Sequence, residues 1–324
     1  MASATDYVPF GLEGLQGGLP LFFDLYIKKG ERYQLYRKES SSLLFTLEDC
    51  QRLLASGLTH LWIRIPTEEH FGIQRLVALL AMPDEHLSPR AKAHLWHGTA
   101  KATAQRAINN AASKGMLADI RGLMEATVGY LARNSSAFPA LLSATLHEYS
   151  LHTHSVNVAM YALGLGKFVG VTGQEDLRDL GLAAFLHDVG KAKVGLEVLQ
   201  KPGQLTSEEW AIMRQHPDWG MEALSQVDDL PQPVRAVVAQ HHERLDGSGY
   251  PRGLAGEDID FASRVVALAD AFDAMTSVRS YKSAYSAYGA LSLLKNDVEA
   301  GKLDPDLFVG LVLLLGDPSR IGHA

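Results

Sequence analysis

Three short stretches near the start of the chain read as strands, and nearly everything later follows helical spacing. Segments 20–27 and 31–37 are rich in aromatic and aliphatic residues, and Lys28-Lys-Gly-Glu31 between them signals a hairpin turn. Residues 1–18 are Gly-rich and unpatterned. Thr46 with Asp49 predicts a capped start for a helix over 47–55. Residues 60–65 alternate as a strand, and Pro66-Thr-Glu-Glu69 opens a helix running to about Met82. Residues 1–85 therefore read as a small α+β domain.

Ser88-Pro89 places an N-cap before a proline at the first helical position. The following Ala-rich, mostly polar stretch to about Leu131 predicts a long connecting helix within 86–135, or equally the first helix of the bundle that follows. Ser136 to Pro139 interrupts it. From 140 onward no strand of convincing length is visible. Thr172-Gly-Gln-Glu175 and Thr206-Ser-Glu-Glu209 resemble capping boxes. The expected class is mainly α: an all-helical bundle over 136–324, with the small N-terminal α+β domain joined by the long helix.

Composition narrows the function. The chain has 324 residues, 47% apolar and 21% charged, which is ordinary for a globular protein. The longest apolar run, 307–315, is far short of the ~20 residues a membrane helix needs, so no membrane span is expected. No secretory signal is visible, and the lone Cys50 fits a reducing compartment, so the expected location is cytoplasmic. A net charge of -7 argues against a nucleic-acid polymer as partner, though local cations can still hold a small phosphate ligand. Of the 13 histidines, seven fall between His147 and His242.

These histidines sit where helices end. His187-Asp188 closes an apolar helix, His216 closes the helix that begins near Thr206, and His241-His242 closes one that begins near Pro233. Asp270 lies among Val265, Val266, Leu268, Ala269 and Ala271, where a carboxylate is costly to bury unless paired or coordinated. With His154 these residues predict a metal site inside a helical bundle. Single histidines are more often packing or surface residues, and His147 and His152 are read that way. The imidazoles of His154, His187, His216, His241 and His242 with the carboxylates of Asp188 and Asp270 favour transition metals over magnesium. Two divalent ions would outweigh these two carboxylates, leaving a positive site that attracts a phosphodiester.

Leu245-Asp-Gly-Ser-Gly-Tyr-Pro-Arg-Gly253 is too turn-rich for helix or strand. Following His241-His242 directly, it is expected at the rim of the cavity. Tyr250 can stack on a base, donate a hydrogen bond or simply pack the loop. Lys191, one turn past Asp188, can meet a phosphate oxygen as a point charge. Arg279 and Lys282 follow the Asp270 helix and read either as phosphate ligands or as a solvated face.

These residues resemble the HD-GYP family of bacterial cyclic-di-GMP phosphodiesterases. The matching stretches are His154-Ser-Val-Asn-Val158, Leu186-His-Asp-Val-Gly-Lys191, Leu199-Gln-Lys-Pro-Gly203, His241-His-Glu243, Asp246-Gly-Ser-Gly-Tyr-Pro251, and 267–282 with Asp270, Asp273, Arg279 and Lys282. Both the His-Asp pair and the triplet Gly249-Tyr250-Pro251 are intact, which in this family marks catalytic competence. The resemblance implies an HD-type bundle that hydrolyses cyclic-di-GMP to linear pGpG, with GMP as a further product left open, and so lowers a second-messenger level. It implies attack by a metal-bridging hydroxide, with His187, Asp188 and Lys191 at the catalytic centre. One metal would take His154, Asp188 and Asp270 with His187 nearby; the other would share Asp188 and take His216, His241 and His242. Iron or manganese is expected, with nickel and zinc as alternatives. Some relatives hold a third metal with a glutamate where this chain has Ser150, so two ions are expected, although Glu148 and His152 lie close in sequence. Lys191, Arg279 and Lys282 match phosphate-binding positions, and Gly249, Tyr250 and Pro251 belong to the loop expected to meet the nucleotide and diguanylate cyclase or adaptor domains. Residues 1–85 resemble a poorly defined segment ahead of some members, with a regulatory or dimerising role, and a homodimer is within the expectation. The rival readings are a cyclic-di-GMP sensor that does not turn over and a hydrolase of another nucleotide, such as a mixed cyclic dinucleotide.

Overall fold

The computed structural model describes residues 7–12, 24–30, 32–38, 46–64, 73–82, 84, 87–110, 114–134, 136–145, 151–277 and 284–318. The chain divides into two compact units, Met1–Thr99 and Ala100–Ala324. In the small unit β1 (Tyr7–Gly11), β2 (Leu25–Lys29), β3 (Arg32–Arg37) and β4 (His60–Arg64) form an antiparallel sheet of order β1-β4-β2-β3. The expected hairpin is present: Lys29 pairs with Arg32, and Gly30 takes the left-handed conformation, φ +59°, that the tight turn requires. Strand β1 departs from expectation, since this stretch read as unpatterned. Its Pro9 cannot donate to a ladder, and a proline is tolerated here because β1 is an edge strand, paired to β4 alone.

Helix α1 (Leu47–Ala55) starts with the predicted capping box, Thr46 and Asp49 satisfying each other's backbone N–H groups. Asp49 is also gripped by both Arg37 guanidinium nitrogens at 3.0 and 3.1 Å, which ties α1 to β3. On helix α2 (Ile73–Ala81) Leu76, Leu79 and Leu80 are buried, as are Leu25, Leu61 and Trp96 elsewhere in the unit. Each such fully buried side chain contributes about 1.5–3 kcal/mol.

The polar stretch expected as one connecting helix forms α3 (Pro89–Asn110) and α4 (Lys114–Arg133), with 111–113 outside the described residues. Ser88 caps α3 through the N–H of Ala91. The division between the two units falls inside α3, and α4 packs on α7 (Gln174–Leu186) as a helix of the bundle. The larger unit continues with α5 (Ala137–Thr145), α6 (Leu151–Phe168), α8 (Leu196–Leu199), α9 (Ser207–Met213), α10 (His216–Ala223), α11 (Gln232–Gln240), α12 (Phe261–Thr276), α13 (Ala287–Glu299) and α14 (Pro305–Gly316). Helix α6 is central: it lies against α5, α7, α12 and α14, and its residues from Val156 to Leu165 are almost wholly buried. Among the described residues no strand follows β4, and no helix is long and apolar enough to cross a membrane.

Two boundaries differ from the sequence reading. Thr206 forms its capping box, but α7 is capped by Gly173, with no side-chain bond from Thr172. His216 does not end the helix begun at Thr206; α9 stops at Met213 and His216 opens α10. Pro217 explains this, because a proline that would break a helix interior fits the first turn of a new one.

Candidate metal centre

Five helices deliver the candidate ligands to one buried place. Helix α7 ends at Leu186; His187 follows as its cap, and Asp188 leads into a 3-10 turn, Val189–Lys193. His216 enters from the start of α10, His241 and His242 from the end of α11, His154 from α6 and Asp270 from α12. Close contact makes this convergence achievable: a Cβ on Gly190 would lie 1.9 Å from the His216 carbonyl oxygen and 2.5 Å from the Gly220 N, so only glycine lets the 3-10 turn seat on α10.

Asp188 is the hinge of the arrangement. Its Oδ1 lies 3.3 Å from His216 Nε2 and 3.7 Å from His241 Nε2. Its Oδ2 lies 3.2 Å from His187 Nε2, 3.6 Å from His154 Nε2 and 2.5 Å from Lys191 Nζ. The two oxygens thus face two ligand groups, Asp188 with His216, His241 and His242, and Asp188 with His154 and His187, each with ligand atoms within 4.8 Å of one another. Asp270 joins the second group through His154 Nε2 at 3.1 Å and reaches toward His242 at 4.0 Å.

The proton positions favour a cation. His187 Nδ1 faces the Ala184 carbonyl at 2.7 Å, His216 Nδ1 that of Met213 at 2.8 Å and His241 Nδ1 that of Val237 at 3.0 Å. A carbonyl only accepts, so each Nδ1 donates and each Nε2 turns a lone pair into the cavity. His216 Nε2 and His241 Nε2 stand 3.2 Å apart, while His187 Nε2 and Asp188 Oδ1 are buried without a hydrogen-bond partner. Mutually facing lone pairs in a buried pocket repel unless a positive ion sits among them. The donor set therefore fits a metal.

His154 is held differently. Its Nδ1 donates to Asp273 at 2.7 Å, and Asp273 also accepts from Asn157 at 2.9 Å and Ser277 at 3.1 Å. Both Asp273 and Asn157 stand in the matching stretches, without a role assigned from the sequence. The available signal was spacing: His154 and Asn157 on α6, and Asp270 and Asp273 on α12, are three apart and share a helix face among apolar neighbours.

Burial opposes charge throughout the site, and the neighbours decide the outcome. It pushes His216 down to about 3, and it lowers His241 and, with help from His241, His242. For His154 the carboxylates of Asp270 and Asp273 outweigh burial and hold the imidazole well above its usual range. Burial pushes Asp188 and Asp270 up, but the histidines around both, with Lys191 beside Asp188, hold them well below the usual carboxylate range. The metal-free site thus holds ionised Asp188 and Asp270, a cationic His154, and His216, His241 and His242 kept neutral and ready to ligate.

The turn-rich loop lies where expected. Tyr250 stacks on His242, with ring centres 4.6 Å apart and planes at 24°, and the Arg214 guanidinium carbon lies 4.9 Å from the tyrosine ring centre. Burial raises the Tyr250 hydroxyl, keeping it neutral. Gly249 passes so close to the backbone that a Cβ would lie 2.4 Å from Glu243 Cα. Lys191 is paired with Asp188 rather than standing apart. Arg279, Lys282, His147, Glu148 and Ser150 lie outside the described residues, as does the side chain of His152.

A bundle of helices whose ends hold a histidine and aspartate cluster defines a class. The HD domain family profile matches residues 137–307. The chain belongs to the HD-domain family, and its Gly249-Tyr250-Pro251 loop is intact. It is similar to the cyclic di-GMP phosphodiesterase response regulator RpfG of Xanthomonas campestris, 40% identical over 169 residues, 52% of this chain and 42% of that protein. It is also similar to the cyclic di-GMP phosphodiesterase PA4108 of Pseudomonas aeruginosa, 31% identical over 300 residues, 86% of this chain and 70% of that protein. The 3'3'-cGAMP-specific phosphodiesterase 2 of Vibrio cholerae is 42% identical over 128 residues, 39% of this chain and 24% of that protein. The solved structure of Bd1817, an HDGYP-type protein from Bdellovibrio bacteriovorus, shares the fold: TM-score 0.66 at 22% identity, covering 96% of this chain and all of that one. The chain thus spans less than half of the Xanthomonas and Vibrio relatives.

Proposed function

We propose that this chain is a cyclic-di-GMP phosphodiesterase that opens the cyclic dinucleotide to linear pGpG. The observation that carries this reading is the division of Asp188, whose two carboxylate oxygens face two separate ligand groups, as a carboxylate shared between two cations does. His154, His187, Asp188 and Asp270 would hold one ion, and Asp188, His216, His241 and His242 the other, with iron or manganese suited to this mixed nitrogen and oxygen set. When bound, such ions supply Lewis-acid polarisation of a phosphoryl oxygen and a hydroxide at neutral pH.

The protein's own side chains do the rest. Buried helix ends exclude bulk water and fix the imidazole lone pairs in advance. Lys191, an ammonium at the carboxylate of Asp188, is placed to exchange that partner for a phosphate oxygen and to offset the charge that develops there. The phenol ring of Tyr250, at the cavity rim beside His242, offers an apolar face and a neutral hydroxyl to the nucleotide. Arg279 and Lys282, just beyond α12, complete the phosphate contacts in this reading. The name of the Vibrio relative favours a second substrate within the same chemistry, the mixed guanine–adenine cyclic dinucleotide.

The test is product chromatography and elemental analysis on one anaerobically purified sample loaded with iron or manganese. The parent is expected to yield pGpG. The variant His187→Ala/Asp188→Ala is expected to lose bound metal and turnover while keeping its helical circular dichroism. Full turnover in that variant refutes the reading, and a metal-loaded parent that binds cyclic-di-GMP without product makes the chain a sensor. Parallel assays with 3'3'-cGAMP decide between the two substrates.

A further inference from the structure

Glu243 lies next to the metal cluster yet belongs to neither ligand group. It follows His242 where the chain leaves α11, and it is only 2% exposed. A buried carboxylate is tolerated when its lone pairs are met, and here the far limb of the loop meets them. The Arg252 N–H donates to Oε1 at 2.7 Å and the Leu254 N–H to Oε2 at 3.0 Å. The near limb closes on the same place: Tyr250 N donates to the His242 carbonyl at 3.2 Å, Gly247 N to that of Arg244 at 2.8 Å, and Gly249 runs against the Glu243 backbone. The loop is wound around one side chain, and its product is the seat of Tyr250 on His242.

We infer that Glu243 is a positioning residue, a latch that fixes the Gly249-Tyr250-Pro251 loop and thereby sets affinity for the cyclic dinucleotide, without itself holding metal. The inference rests on the reading above that Tyr250 meets the substrate. The chemistry explains why a carboxylate stands here. Two acceptor oxygens receive two backbone donors at once; a carboxamide would set its own N–H groups against one of those donors. The imidazoles of His187, His216 and His241 are oriented by main-chain carbonyls of Ala184, Met213 and Val237, none of them in the loop, so releasing the latch leaves these ligands in place.

The test compares Glu243→Gln, Tyr250→Ala and the double variant in the full metal-loaded chain. Metal per chain, melting temperature, KM, kcat and the Kd for a non-hydrolysable phosphorothioate analogue of cyclic-di-GMP are measured for each. Glu243→Gln is expected to keep its metal, to raise KM and Kd about tenfold, the scale of one lost hydrogen bond to a charged group, and to change kcat by less than about threefold. In the Tyr250→Ala background the same substitution should add nothing, because the residue it positions is gone. Additive effects, or lost metal with unchanged Kd, overturn the inference. Should Glu243→Gln not fold, Glu243→Asp, which keeps the charge but is too short to reach both amides, carries the same expectations. A parent that hydrolyses no cyclic dinucleotide defeats the functional reading alone, since the analogue Kd still tests the latch.

Discussion

Adding one methyl group at Gly190 should dismantle the centre from outside it. The new Cβ would sit 1.9 Å from the His216 carbonyl oxygen, 2.5 Å from Gly220 N and 2.9 Å from the His216 carbonyl carbon. All three are backbone atoms, so no rotamer change relieves the contact. Reaching a tolerable 3.0 Å requires α10 to retreat by about 1.1 Å, from 3.0 less 1.9. His216 rides on that helix, and metal–ligand distances tolerate only about 0.2 Å. The overpacking should cost about 1–3 kcal/mol, a fall in melting temperature of roughly 2–12 °C for a unit of this size. Gly190 does not have a positive φ, so without the clash an alanine would stabilise by about 0.4–1 kcal/mol through the unfolded chain. The two arguments predict opposite signs. Calorimetry of chelator-treated Gly190→Ala gives the stability, and elemental analysis after reloading gives the metal. Gly98→Ala, where a Cβ meets nothing within 4 Å inside α3, serves as the control and should gain about 1 kcal/mol. A Gly190→Ala protein as stable as the parent and fully loaded would refute the close-approach reasoning.

Two further outcomes are expected. Chelator-treated protein should weaken in acid: burial holds His216 near 3 against an ordinary 6.5, so its contribution is complete above pH 6.5 and shrinks as pH falls, by about 2 kcal/mol at pH 5. His241 and His242 shift the same way, while His154 carries the opposite sign and offsets part of the loss; a melting temperature flat from pH 7.5 to 5 would contradict this. Asp273→Asn should lower metal affinity about 10–100-fold, because the amide cannot reproduce a carboxylate that receives His154, Asn157 and Ser277 together; competition with a chromogenic chelator measures it, and unchanged affinity would remove Asp273 from the site.

The candidate ligands were legible because chemistry left marks in composition: imidazoles at helix boundaries and a carboxylate inside an apolar helix. His187, His241 and Asp270 lie on or beside the elements their neighbours predicted. In the sequence His216 reads as the end of a helix, because Pro217 signals a stop in either direction, and only the break after Met213 shows that it begins α10. Strand β1 escaped notice because its pairing with β4 is remote in sequence, while Pro9 and Gly11 hide its character. Glu243 and Gly190 stand inside the matching stretches, but nothing beside them in the sequence marks what each does. Their partners, the amides of Arg252 and Leu254 and the backbone of α10, are defined only by how the chain folds back.

The bonds from His187, His216 and His241 to main-chain carbonyls carry a consequence for how this site can decay. A carbonyl one turn back cannot be deleted by replacing any side chain, so these three rings stay correctly tautomerised for as long as their helices exist. His154 Nδ1 is met instead by the carboxylate of Asp273, a side chain that substitution can replace. Random substitution should therefore erode the two halves unequally, emptying the His154 side first and leaving the His216–His241 side able to keep an ion after the paired arrangement has gone.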